Sequence, residues 1–179
     1  MTTLILPGIN NSGPDHWQSR WEKLHPAFRR VNQDEWDAPR CTEWVRRLDD
    51  VIASSWDDIV LVAHSSACAL VAHWTKQATP SQAAKIRGAL LVAPSDPNGP
   101  NYPKGPSGFA PVPLIALPFP SIVVASTNDK YVTVDRAREY ATAWHSRFVV
   151  IENAGHINSA SGLGDWPQGL VLLKELQGD

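Results

Sequence analysis

Short runs of aliphatic and β-branched residues alternate along the chain with stretches whose apolar residues recur at helical spacing, and no other feature restricts the fold as much. The runs that read as strands are Thr3–Leu6, Arg30–Gln33, Ile59–Ala63, Gly88–Val92, Ile122–Ala125 and Phe148–Ile151. Helices are predicted over His16–Leu24 after a Pro14-Asp15 start, from a Thr42 cap through Ala53, over Ala67–Gln77, over Val134–Trp144 from a Thr133 cap, and over Trp166–Leu176. Apolar strands separated by helices are buried on both sides. They imply an α/β fold of about six mostly parallel strands with helices on both faces. At 179 residues the chain is expected to form one domain, 1–179, with a core that needs neither disulfide nor metal.

Composition narrows the partners. A formal net charge of −2 gives no reason to expect nucleic acid or an anionic membrane. Cys41 and Cys68 lack metal-ligand or C-x-x-C spacing and read as buried packing residues in a reducing compartment. Met1-Thr2-Thr3 leads straight into a strand without a signal-peptide pattern, and no apolar stretch approaches a membrane span, so a cytoplasmic location is expected. The eight tryptophans show no repeat and read as packing residues. No group of His, Cys, Asp or Glu has metal-ligand spacing, and no cofactor is implied.

A parallel sheet brings the C-terminal ends of its strands to one edge, where open α/β folds place their sites. The first strand ends in Pro7-Gly8, and Gly13 completes a G-x-x-x-x-G spacing. A phosphate-binding loop needs Lys and Ser/Thr next, whereas Pro14-Asp15 follow, and a carboxylate there would repel phosphate. The third strand breaks at His64-Ser65-Ser66-Ala67 and a helix of small residues starts at once. A nucleophile elbow holds its serine on a strained strand-to-helix turn and needs tiny residues two before and two after it. Ala63 and Ala67 meet that need around Ser65, although A-H-S-S-A departs from G-x-S-x-G and by itself serves equally as a helix cap. With Ser66 at the apex, His64 and Cys68 would crowd the tight positions.

A serine hydroxyl attacks well only when a base removes its proton, so an elbow at Ser65 calls for an acid and then a histidine later in the chain. Asp129 follows the fifth strand in Ser126-Thr127-Asn128-Asp129, and His156 follows the sixth in Glu152-Asn153-Ala154-Gly155-His156. Each has an ordinary alternative as a turn cap or a loop histidine; together, in this order at three strand ends, they point to a Ser-His-Asp triad. The glycine turn, otherwise a plain βα turn, then supplies an oxyanion loop: Ile9 N–H, or else Asn10 N–H, beside Ser66 N–H, with Gly8 letting the backbone turn toward the site. Gly8, His16, Trp17 and His64 are candidate pocket residues, although the helical spacing of His16 and Trp17 is more often that of core packing. The Pro- and Gly-rich segment 94–120 is either a tolerated surface loop or one lying across the mouth of the site.

Taken together, LPGINNSGPDHW, VAHSSA, APSDP, ASTNDKYV and NAGHINSASGLGDWP resemble the small serine hydrolases of the retinoblastoma-binding protein 9 / YdeN-like family over nearly the whole chain. That resemblance implies a compact α/β-hydrolase fold without the two leading strands of the full fold. It also implies Ser65, Asp129 and His156 as nucleophile, acid and base, and esterase or aminopeptidase-like activity on a small-molecule ester or amide. No helical lid domain is visible, so a shallow pocket is expected. Two rivals use the same sequence: a non-catalytic protein docking a partner through 94–120, and acyl transfer to an acceptor other than water.

Overall fold

The computed structural model describes residues 1–178. Six strands, β1 (Thr2–Leu6), β2 (Phe28–Arg30), β3 (Ile59–His64), β4 (Ile86–Val92), β5 (Ser121–Ser126) and β6 (Arg147–Ile151), form one sheet in the order β2-β1-β3-β4-β5-β6. Every adjacent pair is parallel. The chain moves outward from β1 to β2, crosses back to β3 and then proceeds the other way. The order therefore reverses between β1 and β3, a crevice where the two βα loops diverge.

Five of the strands fall where the periodicity puts them, but β2 does not. It pairs Phe28–Arg30 with Thr3–Ile5, ahead of the expected Arg30–Gln33. The turn closed by Phe28 N–H on the His25 carbonyl brings the chain alongside β1 early, and only Val31 N–H extends the pairing, to Ile5 O at 2.9 Å. Being an edge strand, β2 lacks the apolar pattern that marks a central one.

Helices α1 (Trp17–Leu24) and α6 (Pro167–Gln177) cover one face, and α2 (Cys41–Ser54), α3 (Ser66–Gln77) and α5 (Val134–Ala143) the other. Thr133 caps α5 as expected, accepting Arg136 N–H at 3.1 Å. Thr42 does not cap α2. The helix starts two residues earlier than a Thr42 cap would place it, and Cys41 N–H bonds the Ser107 carbonyl at 2.9 Å, so a distant loop replaces the hydroxyl cap. A short helix α4 (Pro80–Ala83) was not expected, although Thr79-Pro80-Ser81-Gln82 carries the capping-box pattern and its reciprocal bonds form.

Side chains of the central strands alternate between two apolar layers. Leu61, Ala63, Leu91 and Val123 face α2, α3 and α5, whereas Val60, Val62, Leu90 and Val124 face α1 and α6. Six of the tryptophans are buried and Trp36 packs partly, but Trp56 is fully exposed and packs nothing. Both cysteines are buried and free; burial pushes the Cys41 thiol up to about 12 and the Cys68 thiol higher still. The 94–120 segment reaches the site through Ser95 and Pro103, in line with the second alternative, and has a further use that neither foresaw: Phe109, Val112, Leu117 and Phe119 complete the core. Among the described residues no helix is long and apolar enough to cross a membrane, and no cluster of metal-ligating side chains is present.

Candidate active site

Five strand ends build the site. At the end of β3, Ser65 has φ 60° and ψ −127°, a conformation costly for a residue with a Cβ, and α3 begins at the next residue. Ala63 and Ala67 are fully buried against the turn, as a tight elbow requires. Ser66 opens the helix, and its hydroxyl meets Tyr102 OH at 3.1 Å. From the end of β1, Gly8 lies against the same turn. A Cβ on Gly8 would sit 2.7 Å from the Ser65 Cβ and 3.0 Å from the His64 carbonyl oxygen. Glycine is needed here for close approach rather than for a sharp turn, because the left-handed residues of this loop are Asn10 (φ 66°) and Asn11 (φ 62°).

The end of β6 carries His156 in a loop pinned to the end of β5. Asn153 N–H donates to Thr127 Oγ1 at 2.9 Å, Ala154 N–H to Ser126 Oγ at 2.9 Å and Gly155 N–H to Asn128 Oδ1 at 2.7 Å. The loop carbonyls are engaged too. His64 Nε2–H donates to His156 O at 2.9 Å, Trp17 Nε1–H to Ile157 O at 2.8 Å and Ser161 Oγ–H to Ala154 O at 2.5 Å. Asp129 completes the arrangement: its Oδ1 accepts Tyr131 N–H at 2.9 Å and its Oδ2 lies 2.7 Å from His156 Nδ1. His156 Nε2 is 2.9 Å from Ser65 Oγ. Carboxylate, imidazole and hydroxyl thus form one continuous hydrogen-bonded chain, with the Asp129 side chain fully buried and the His156 side chain 9% exposed.

A cavity of about 200 Å³ opens beside Ser65, lined by Ile9, Asn10, His16, His64, Ser66 and His156 among others. Trp17 and Gly8 do not line it. Trp17 is buried behind the wall, its ring 4.9 Å from Trp166 and its N–H spent on Ile157 O, while Gly8 supports Ser65 from below. Ile9 N–H and Ser66 N–H have no acceptor among the described residues, but Asn10 N–H donates to Trp36 O at 2.8 Å and is unavailable as an oxyanion donor. Ser95, Tyr131, Asn158 and Ser159 also line the cavity and were missed. Of these, Ser95 Oγ lies 2.8 Å from Ser65 Oγ. The only signal that could have drawn attention to it is its place just beyond the fourth strand.

Two further histidines stand in line with His156, with ring centroids 4.7 Å apart from His16 to His64 and 5.0 Å from His64 to His156. Burial, reinforced by Arg30 and His156, holds His16 down to about 3. Burial also holds His64 well below the ordinary imidazole range, with His16 and His156 adding to it. Both rings are therefore neutral at physiological pH. His16 Nδ1 accepts Gln18 N–H at 3.2 Å as the α1 cap, so its proton sits on Nε2. No lining residue is Asp, Glu, Lys or Arg.

A serine hydroxyl hydrogen-bonded to an imidazole, a buried carboxylate on that imidazole, and two free amides beside the hydroxyl stand at the strand-order reversal of an α/β-hydrolase fold. The chain belongs to the serine hydrolase family, whose profile matches residues 3–175. Among solved structures it is similar to a YdeN-like hydrolase of Pectobacterium atrosepticum, at 31% identity over 98% of this chain and 89% of that one, with a TM-score of 0.84. The ydeN product of B. subtilis shares the fold at 16% identity over 99% of both chains, TM-score 0.74. A thermophilic esterase from Thermogutta terrifontis does so at 15% identity, covering 99% of this chain and 90% of its own, TM-score 0.70. A search of curated proteins found no sequence match.

Proposed function

We propose that the protein is a serine esterase that hydrolyses small, uncharged esters by two-step acyl transfer, with Ser65 as nucleophile, His156 as base and Asp129 as its orienting acid. The observation that carries this is the unbroken chain Asp129 Oδ2, His156, Ser65 Oγ at 2.7 and 2.9 Å. His156 takes the Ser65 proton as Oγ attacks the ester carbonyl, and the Ile9 and Ser66 amides hold the oxyanion. Collapse expels the alcohol, which takes the proton from His156. Water then repeats the sequence on the acyl-enzyme and releases the acid.

Esters suit the cavity better than aminoacyl amides. An α-ammonium would need a carboxylate partner, and the lining residues include none; Asp129 is already committed to His156 and to Tyr131 N–H. The cavity is also below the size usual for drug-like ligands, which supports short acyl groups. The kinship with retinoblastoma-binding protein 9 suggested by the sequence motifs, and a cytoplasmic location suggested by two free buried thiols, belong to the same proposal. The docking alternative is the less supported one, because Phe109, Val112, Leu117 and Phe119 of 94–120 are spent on the core and Leu114 is the one large apolar side chain of the segment left exposed.

Intact-mass labelling with a fluorophosphonate, followed by turnover of p-nitrophenyl acetate and alanyl p-nitroanilide, tests the proposal. A stoichiometric adduct on the wild type, none on Ser65→Ala, and faster turnover of the ester are expected. Absence of adduct and turnover in the wild type would sink it.

A further inference from the structure

We infer that Ser95 is a further catalytic residue, whose hydroxyl donates a hydrogen bond to Ser65 Oγ and stabilises the negative charge that develops there. The inference rests on the proposed nucleophilic role of Ser65.

Proton bookkeeping assigns the direction of that bond. Asp129, a carboxylate, can only accept, so the His156 proton sits on Nδ1 and points at Oδ2, 2.7 Å away. In the neutral imidazole Nε2 is then an acceptor, and the single Ser65 proton must be given to it across 2.9 Å. Ser65 Oγ has no second proton to offer. The 2.8 Å contact with Ser95 Oγ is therefore a bond in which Ser95 donates and Ser65 accepts.

The fold holds that donor in place. Ala93, the residue after β4, is forced to φ 49°, an uncommon conformation for a residue with a Cβ, while its N–H is fixed to Val124 O at 2.7 Å. This turn sends Pro94-Ser95 back toward β3 instead of outward. On the far side Asp96 clamps the segment, its N–H donating to Tyr131 O at 3.0 Å and its Oδ1 accepting from Tyr140 OH at 3.2 Å. Ser95 is 4% exposed and lines the cavity, so its hydroxyl has lost bulk water and its one partner is the nucleophile.

Such a donor acts selectively. As His156 removes the Ser65 proton and the Oγ–carbon bond forms, Oγ passes through a state of partial negative charge, and a donated hydrogen bond strengthens with that charge. In the acyl-enzyme Oγ is a neutral ester oxygen and a poor acceptor. When water attacks and the carbon–Oγ bond breaks, the electron pair returns to Oγ, which recovers its proton from His156. Ser95 keeps its own proton throughout and favours both flanking transition states over the intermediate.

The test is p-nitrophenyl acetate turnover and fluorophosphonate labelling rates for wild type, Ser95→Ala and Ser95→Cys, each with a thermal melt. The expected result is a kcat lower by about 10- to 100-fold in Ser95→Ala with KM nearly unchanged, slower labelling by a similar factor, and Ser95→Cys in between because a thiol is a weaker donor. An unchanged kcat, a change in KM alone, or Ala and Cys variants that fall equally would overturn the inference. If the alanine variant does not fold, Ser95→Cys decides alone, wild-type kcat counting against a donor role. A wild type that neither labels nor turns over the ester would instead remove the nucleophilic role of Ser65.

Discussion

The two arms of the site are held by opposite means. On the arm of the proposed nucleophile, at the ends of β1 and β3, position is enforced by steric compression: Gly8 lies tight against Ser65, Ala63 and Ala67 are fully buried, and Ser65 itself sits at φ 60°. On the arm of the proposed base, at the ends of β5 and β6, the loop around His156 is held by side chains that satisfy its amides and carbonyls one after another. Compression gives a sharp, narrow tolerance, because a strained turn has no slack to absorb an extra methyl group. Polar pinning is distributed, so that losing one bond leaves the others in place. The nucleophile arm should therefore fail abruptly and the base arm gradually.

The largest effect is expected from Ser65→Ala, which should lower kcat by about 1,000-fold or more with the fold intact, measured by ester turnover and circular dichroism. Next comes Gly8→Ala. Its Cβ would meet the Ser65 Cβ at 2.7 Å, so we expect a loss of about 1–3 kcal/mol in stability and at least ~100-fold in kcat/KM. A Gly8→Ala protein with wild-type kinetics would show that compression does not set the nucleophile.

Acid should weaken the polar interior before it destroys the fold. His16 is held at about 3 when folded against 6.5 when unfolded, so below pH 6.5 the unfolded chain binds the extra proton and stability falls as pH falls. The loss from this residue is on the order of 2 kcal/mol between pH 6.5 and pH 5, and His64, shifted the same way, adds to it. Urea midpoints across that window should decline and should decline less in a His16→Asn protein. A flat profile would contradict two buried neutral imidazoles.

On the base arm, Asn128→Ala removes the acceptor of Gly155 N–H and also that of Ser126 Oγ–H, at 2.7 and 3.0 Å. About 1 kcal/mol of stability and roughly 10-fold in kcat should go, a smaller effect than Gly8→Ala because the other pins remain. A loss equal to that of Gly8→Ala would erase the contrast between the arms. Trp56→Ala should change the melting free energy by less than ~0.5 kcal/mol, since the side chain is fully exposed.

Parts of both arms were legible before any tertiary contact was known. The elbow announced itself through Ala63-His64-Ser65-Ser66-Ala67, a local steric requirement written in adjacent residues, and Asp129 and His156 each follow a strand whose apolar run is plain. The pins were not legible. Ser126, Thr127 and Asn128 are ordinary turn residues until the β6 loop is laid against them. Thr42 matched a cap rule yet lost to Ser107, a residue far along the chain whose carbonyl occupies the helix terminus. The helical spacing of Trp17 left wall and core packing both open, and it packs in the core against Trp166, since a helical face says which residues share a direction and not what lies there.

What the amino-acid order determined alone is the alternation of elements, hence a parallel sheet with its strand ends on one edge, and the chemical types carried at those ends. Both follow from periodicity and from residues adjacent in the chain, which need no knowledge of the rest. The tertiary structure alone decided that Gly8 must lack a Cβ, that Asn10 N–H is spent on Trp36, that 94–120 completes the core, and that Ser95 reaches Ser65. Each of these depends on ångström-scale distances between segments distant in sequence, and such distances are set by packing, which no local pattern encodes.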